Sequence, residues 1–222
     1  MNLKILYDND ADPGFTEGWG FSCLITLSDD DKILFDTGWD GDVLLSNMEK
    51  MGENPSDIKR IVLSHPHWDH IGGINHIRVE GCEVWVPRSF SKNMKAEMKS
   101  RFELHEVGGP QAICDGVWTT GELGGSVKEQ SLVLGTSRGL LVIVGCSHPG
   151  VSNIVSSASN FGSPWGIIGG MHGTEDYEVM ENLGLIVPTH CTVHKKEILA
   201  RFPETSMRGK VGLTLEIDRQ SW

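Results

Sequence analysis

Residues 63–73 read LSHPHWDHIGG, which sets His65, His67, Asp69 and His70 in H-x-H-x-D-H spacing directly after the strand-like run 60–63. Divalent first-row metals favour imidazole nitrogen and carboxylate oxygen, and four such donors so close in sequence cannot all reach one ion without straining the backbone. Two metal centres are therefore the natural expectation. In a turn, alternating residues point the same way, so His65 and His67 can pinch one ion while Asp69 and His70 face another. A polar loop that is rich in histidine for structural reasons is the competing explanation, but such a cluster has no cheap structural use.

The rest of the chain limits the partners of such a loop. With 19 basic against 30 acidic residues, the formal charge of −11 argues against a nucleic-acid or membrane-surface binder, because a polyanion is repelled over most of the surface. The N-terminal apolar run is too short for a signal peptide, and the run 140–144 is far too short to span a bilayer, so a cytoplasmic protein is expected. The 222 residues, 39% of them apolar, suffice for a sizeable core, with one domain over residues 1–222 the simpler organisation. Five cysteines, without a C-x-x-C pair, imply reduced thiols rather than a disulfide framework. Cys146 and Cys191 stand two and one residues from His148 and His190, which allows a place beside the metal, but small core residues at strand ends are the expectation.

Alternation and turn signals predict strands at 3–7 and 21–27, a turn at Asp29, Asp30 and Asp31, and a strand at 32–35, an antiparallel start. A helix follows at 43–51, with Asp40 or Asp42 as N-cap and Leu44, Met48 and Met51 on one face; Gly52 stops it. Strands at 58–63 and 83–86 precede an amphipathic helix at 89–102, whose Phe90, Met94, Met98 and Phe102 recur at four-residue steps. The stretch 104–123 is less regular, with short strand candidates and loops. Residues 131–134 and 140–144 read as a hairpin, then come a helix to Asn160, a strand at 165–168, a helix at 175–183, a strand at 185–187, a helix at 195–202 and a strand at 210–217. The second half is thus β-α-β-α-β, and three times a histidine (His148, His172, His190) stands just beyond a strand. The periodicity predicts a mixed α/β fold with two sheets and helices outside.

The loop resembles the signature of the metallo-β-lactamase superfamily, and ILFDTG at 33–38, GCSH ending at His148, GGMH at His172 and PTHC ending at Cys191 extend that resemblance over almost the whole chain. It implies an α/β fold of the four-layered αββα sandwich type, with Asp36 holding the metal loop. By the superfamily pattern His65, His67 and His148 hold the first metal and Asp69, His70 and His190 the second; the cofactors implied are two divalent ions, zinc by default, with iron or manganese as alternatives. His172 falls where many members carry a metal-bridging aspartate. An imidazole has one lone pair for metal and cannot bridge, so His172 either binds one ion terminally or stands off the ions; the second is favoured because each ion already has three protein ligands, and His172 then acts with Asp69 in catalysis, as a proton donor or phosphate contact.

The branch most similar is that of the dihydropterin–ribofuranosylaminobenzene-phosphate synthases, from which this chain departs at Trp19, Met171 and Val193. Two nearby dications activate water and polarise an electrophile, and with Asp69 as the sole carboxylate ligand the site suits an anionic, phosphate-bearing small substrate. A hydrolase is the expected function. A transferase like those synthases, and a metal-containing sensor or binding module without catalysis, are the alternatives. Trp39 and Trp68 are weighed equally as pocket walls and as core; His76, His105 and His194 are read as structural.

Overall fold

The computed structural model describes residues 1–28 and 31–219, so the turn expected at Asp29 and Asp30 lies outside the described residues. The chain divides into two compact units, Met1–Gly108 with Lys210–Ile217, and Gly109–Gly209 with a short stretch beginning at Asp218.

In the first unit β1 (Asn2–Tyr7), β2 (Ser22–Ser28) and β3 (Asp31–Phe35) make the expected antiparallel start. Helix α1 (Gly41–Lys50) begins where the Asp40 carboxylate accepts the N–H groups of Asp42 at 2.9 Å and Val43 at 3.4 Å, and its Leu44 and Met48 are fully buried. Strand β4 (Ile58–Val62) then pairs parallel with β3, and after α2 (Trp68–Ile71) come β5 (Glu83–Pro87), α3 (Lys92–Lys99) and β6 (Glu103–Val107), both strands parallel. Helix α3 is shorter than the predicted 89–102 because the Ser91 hydroxyl accepts the Met94 N–H at 3.2 Å and caps it there. Phe90 and Phe102 still reach the core, from the flanking turns. Burial pushes the thiols of Cys23 and Cys82 up to about 12, in Cys82 with help from the Glu83 charge, so both behave as inert core residues.

In the second unit the less regular stretch with short strand candidates supplies β7 (Gln111–Cys114) and β8 (Val117–Thr119), which continue antiparallel into the predicted hairpin β9 (Leu132–Thr136) and β10 (Gly139–Val144). Helix α4 (Val151–Ala158) leads to β11 (Pro164–Gly170), α5 (Tyr177–Met180) leads to β12 (Leu185–Thr189), and both strands extend the sheet in parallel from β10. Helix α5 is much shorter than the predicted 175–183, since the Asp176 carboxylate accepts the Ser152 N–H at 2.9 Å instead of serving α5 as its cap. Helix α6 (Lys195–Arg201) follows. The expected β-α-β-α-β run is thus β10-α4-β11-α5-β12, and the final strand β13 (Thr214–Glu216), outside it, pairs antiparallel with β1, Asn2 opposite Glu216, in the first unit's sheet. Main-chain bonds turn it there, Val211 N–H to Asp10 O at 2.8 Å and Ile5 N–H to Leu213 O at 3.0 Å.

Among the described residues the first unit thus holds a seven-stranded sheet ordered β13-β1-β2-β3-β4-β5-β6, and the second a six-stranded sheet ordered β12-β11-β10-β9-β8-β7. Each sheet packs an apolar face against its own helices, around Leu34, Met48, Ile61 and Met98 in one unit and Val142, Ile154, Ile167 and Ile198 in the other. The mixed α/β class with two large sheets is as the periodicity implies. No helix of the described residues is long and apolar enough to cross a membrane.

Candidate functional site

In both sheets the chemistry-bearing loops leave the C-terminal ends of parallel strands, where main-chain groups no longer pair with a neighbour and open sheets commonly bind ligands. Four non-glycine residues among those described have positive φ: Asp36 (56°), after β3; Ser147 (60°), after β10; His172 (46°), after β11; and His190 (40°), after β12. Such left-handed positions cost energy for side chains with a Cβ and concentrate where a loop must aim a functional group.

In the first unit Asp36, fully buried, organises the metal loop. Its Oδ1 accepts the Ser64 N–H at 2.7 Å; its Oδ2 accepts the Ser64 hydroxyl at 2.7 Å and faces His70 Nδ1 at 2.7 Å. An ionised carboxylate only accepts, so His70 carries its proton on Nδ1 and presents the Nε2 lone pair. The Ser64 hydroxyl, having donated to Asp36, accepts from His65 Nδ1 at 2.9 Å, which fixes His65 in the same tautomer. The two buried imidazoles are thereby oriented through their Nδ1 contacts, the kind of support that fixes which nitrogen a ligating histidine offers to metal. The rings of His67 and His70 lie 4.6 Å and 4.2 Å from that of His65, and Asp69 Oδ2 lies 3.9 Å from His70 Nε2. The first unit therefore brings together all four predicted donors of the loop.

Trp19, a residue the sequence pattern marks only as a departure, donates its indole N–H to Asp69 Oδ2 at 2.9 Å. Gly20 beside it has φ 145°, and a Cβ there would meet the Asp69 carbonyl oxygen at 2.5 Å, so only glycine lets this segment lie against the loop. Trp39 and Trp68 are 50% and 54% exposed, which rules out the core-packing reading for both.

In the second unit the sequence gives no warning of the organising residue, Glu129. It is fully buried; its Oε1 accepts the N–H groups of Gly145, Cys146 and Ser147 at 3.1, 3.0 and 3.0 Å, and its Oε2 accepts the His148 N–H at 3.0 Å and faces His148 Nδ1 at 2.8 Å. The tautomer logic repeats: His148 carries its proton on Nδ1 and presents Nε2. That nitrogen lies 3.3 Å from Nε2 of His172, which is exposed, whereas His190 is buried. The Ser147 hydroxyl donates to Gly170 O at 2.7 Å, and the Thr192 hydroxyl accepts the Met171 N–H at 2.9 Å, tying together the loops that carry the three histidines.

The donor chemistry fits divalent metal. Each unit holds a histidine whose Nδ1 is clamped by a buried carboxylate, the arrangement that orients imidazole ligands and raises their basicity. His76, His105 and His194 lie instead beside surface carboxylates, with Asp42 at 3.4 Å, Glu103 at 3.6 Å and Glu197 at 3.5 Å, in keeping with their structural reading.

The sequence matches the family model of the metallo-β-lactamase superfamily over residues 17–159. A 7,8-dihydropterin-6-methyl-4-(β-D-ribofuranosyl)-aminobenzene-5'-phosphate synthase of Methanocaldococcus jannaschii is 26% identical, over 80% of this chain and 82% of the relative. Among solved structures, a metal-dependent hydrolase of the β-lactamase superfamily superposes with a TM-score of 0.79 at 26% identity, covering 98% of this chain and 99% of its own. A diphosphatase from the PhnP family has a TM-score of 0.65 at 16% identity, covering 100% and 99%.

Proposed function

We propose, for a chain that belongs to the metallo-β-lactamase superfamily, a metal-dependent hydrolase that acts on an anionic, phosphate-bearing small substrate. The observation that carries this reading is the pair of buried carboxylates, Asp36 and Glu129, each set at 2.7–2.8 Å against the Nδ1 of a histidine that the superfamily pattern makes a metal ligand. Following the superfamily pattern, His65, His67 and His148 hold one ion and Asp69, His70 and His190 the other, so that residues 1–222 act as one functional domain. Two dications bound there supply Lewis acidity and lower the pKa of water. Asp36 and Glu129 keep the His70 and His148 imidazoles aimed. Trp19 holds the Asp69 carboxylate through Oδ2, and His172, exposed at the end of β11, moves a proton to the leaving group or meets the substrate phosphate.

A transferase reading is favoured by one observation, the 26% identity with the synthase over four fifths of the chain. The two are separated by elemental analysis of protein purified without added metal, followed by assay on phosphomonoesters, phosphodiesters, thioesters, lactones and the pterin pair. We expect two ions per chain and turnover of a phosphate ester. Product formation only with both pterin-pathway substrates would select the transferase, and saturation at one ion or fewer would reject the dinuclear site.

Two variants probe the roles. Asp69→Ala is expected to keep the fold, since the residue is only part-buried, and to abolish turnover; near-parental rates would remove it from the ligand set. His172→Ala should retain both ions and lose turnover by ~10²–10⁴-fold, the usual contribution of a proton-transfer group. Loss of one metal equivalent in that variant would make His172 a ligand.

A further inference from the structure

We infer that Cys146 is itself a ligand of the centre, its thiolate shared between the two ions; this rests on the dinuclear reading above. In the second unit the Cys146 Sγ lies within 4.8 Å of a ring nitrogen on both His148 and His172, and also within 4.8 Å of a ring nitrogen on His190 and of the Cys191 Sγ. It is the residue common to these two donor groups of the unit. His148 and His190 belong to different ions in the superfamily pattern, and the Cys146 sulfur lies within 4.8 Å of a ring nitrogen of each.

The chemistry supplies the motive. His172 stands where many superfamily members have a bridging aspartate, and a neutral imidazole cannot bridge. A thiolate can, because its sulfur has lone pairs to spare and carries the negative charge that two adjacent dications need between them. Sulfur and imidazole together are also an ordinary donor set for zinc. On binding, the Cys146 S–H bond breaks, the sulfur keeps the electron pair for the metal, and the proton leaves to solvent. Asp69 and Cys146 then contribute two negative charges against two dications, which leaves the centre positive and still suited to an anionic substrate.

The position is built rather than incidental. Cys146 is 3% exposed, lies two residues beyond β10, and has its own N–H held by Glu129 Oε1 at 3.0 Å, so the backbone that carries the sulfur is fixed by the same carboxylate that aims His148. Cys191 differs: its thiol donates to the Cys146 carbonyl oxygen at 3.8 Å, which turns its proton to the main chain.

The test is a cobalt(II) titration of the metal-free full-length protein, read by absorption in the thiolate-to-metal charge-transfer region with bound metal measured in parallel. The parent should take up two equivalents with charge-transfer absorption growing through both. Cys191→Ser should keep that absorption and Cys146→Ser should lose it. Two bound equivalents without charge transfer would overturn the assignment while leaving the dinuclear reading standing. Absorption that stops growing at the first equivalent would make Cys146 a terminal ligand and overturn the bridge; absorption lost in Cys191→Ser but kept in Cys146→Ser would move the ligand to Cys191. Binding of only one equivalent would sink the dinuclear reading and this inference with it. Should Cys146→Ser not fold, X-ray absorption of the zinc-loaded parent decides, with sulfur expected in the zinc shell and an all-nitrogen and oxygen shell refuting the proposal.

Discussion

Glu129→Ala is expected to give the largest loss of any single substitution in this chain, more than ~4 kcal/mol of stability, together with loss of metal binding by His148. Five hydrogen-bond donors converge on this one fully buried carboxylate, four of them main-chain N–H groups at 145–148. A hydrogen bond to a charged acceptor contributes ~1.5–3 kcal/mol, and each buried donor left unmet costs ~1–3 kcal/mol, values that do not simply add because the alanine cavity admits some water. The Ser147 backbone is also held at φ 60°, which the loop sustains only while its amides are satisfied. Glu129→Gln separates charge from shape. Its carbonyl oxygen can still accept some of the amides, but its NH₂ group faces donors, so we expect a folded protein in which the amides of residues 145–148 exchange with solvent much faster than in the parent. Urea denaturation and amide hydrogen exchange read these effects directly. An alanine variant within about 1 kcal/mol of the parent would mean that the turn is held by other contacts.

Asp36 invites a more selective experiment. Asp36→Ala should weaken metal affinity ~10–100-fold, the usual consequence of removing the partner of a ligating histidine. It should also lower stability by ~3–5 kcal/mol, because the Ser64 N–H, the Ser64 hydroxyl and His70 Nδ1 all lose a buried charged partner. Asp36→Asn is the sharper variant. Asparagine tolerates the positive φ of 56° and can still accept the Ser64 N–H through its carbonyl oxygen. Its amide NH₂ then points at His70 Nδ1 and must donate, so the imidazole proton moves to Nε2 and the lone pair needed for metal is lost. The expected result is a folded variant with depressed metal affinity in a chelator competition titration, and with the His70 tautomer reversed in nitrogen NMR. Affinity equal to the parent in both variants would reduce Asp36 to a local turn residue.

Much of this protein is decided by short stretches of sequence. The H-x-H-x-D-H spacing brings four donors together whatever the surrounding fold, because the loop between β4 and α2 is too short to separate them. The cap at Asp40, the apolar face of α1 and the alternation of β1 to β3 depend on neighbours a few residues apart, so they too can be read from the chain. Asp36 is legible through its turn motif. Other features depend on which distant groups meet. Glu129 lies 16 to 19 residues from the amides it holds, in a segment with no periodic signature, and only the folded second unit shows that those amides need an acceptor. The pairing of β13 with β1 joins the two ends of the chain, Asn2 with Glu216, a choice among free sheet edges that no local pattern encodes. The indole of Trp19 reaches Asp69 across 50 residues. Sequence by itself supplied the candidate donors of the loop and most of the regular segments, since both follow from chemistry over a few bonds. The tertiary structure decided which buried polar groups satisfy one another, because that depends on the desolvation of donors and acceptors that meet only when the sheets are formed.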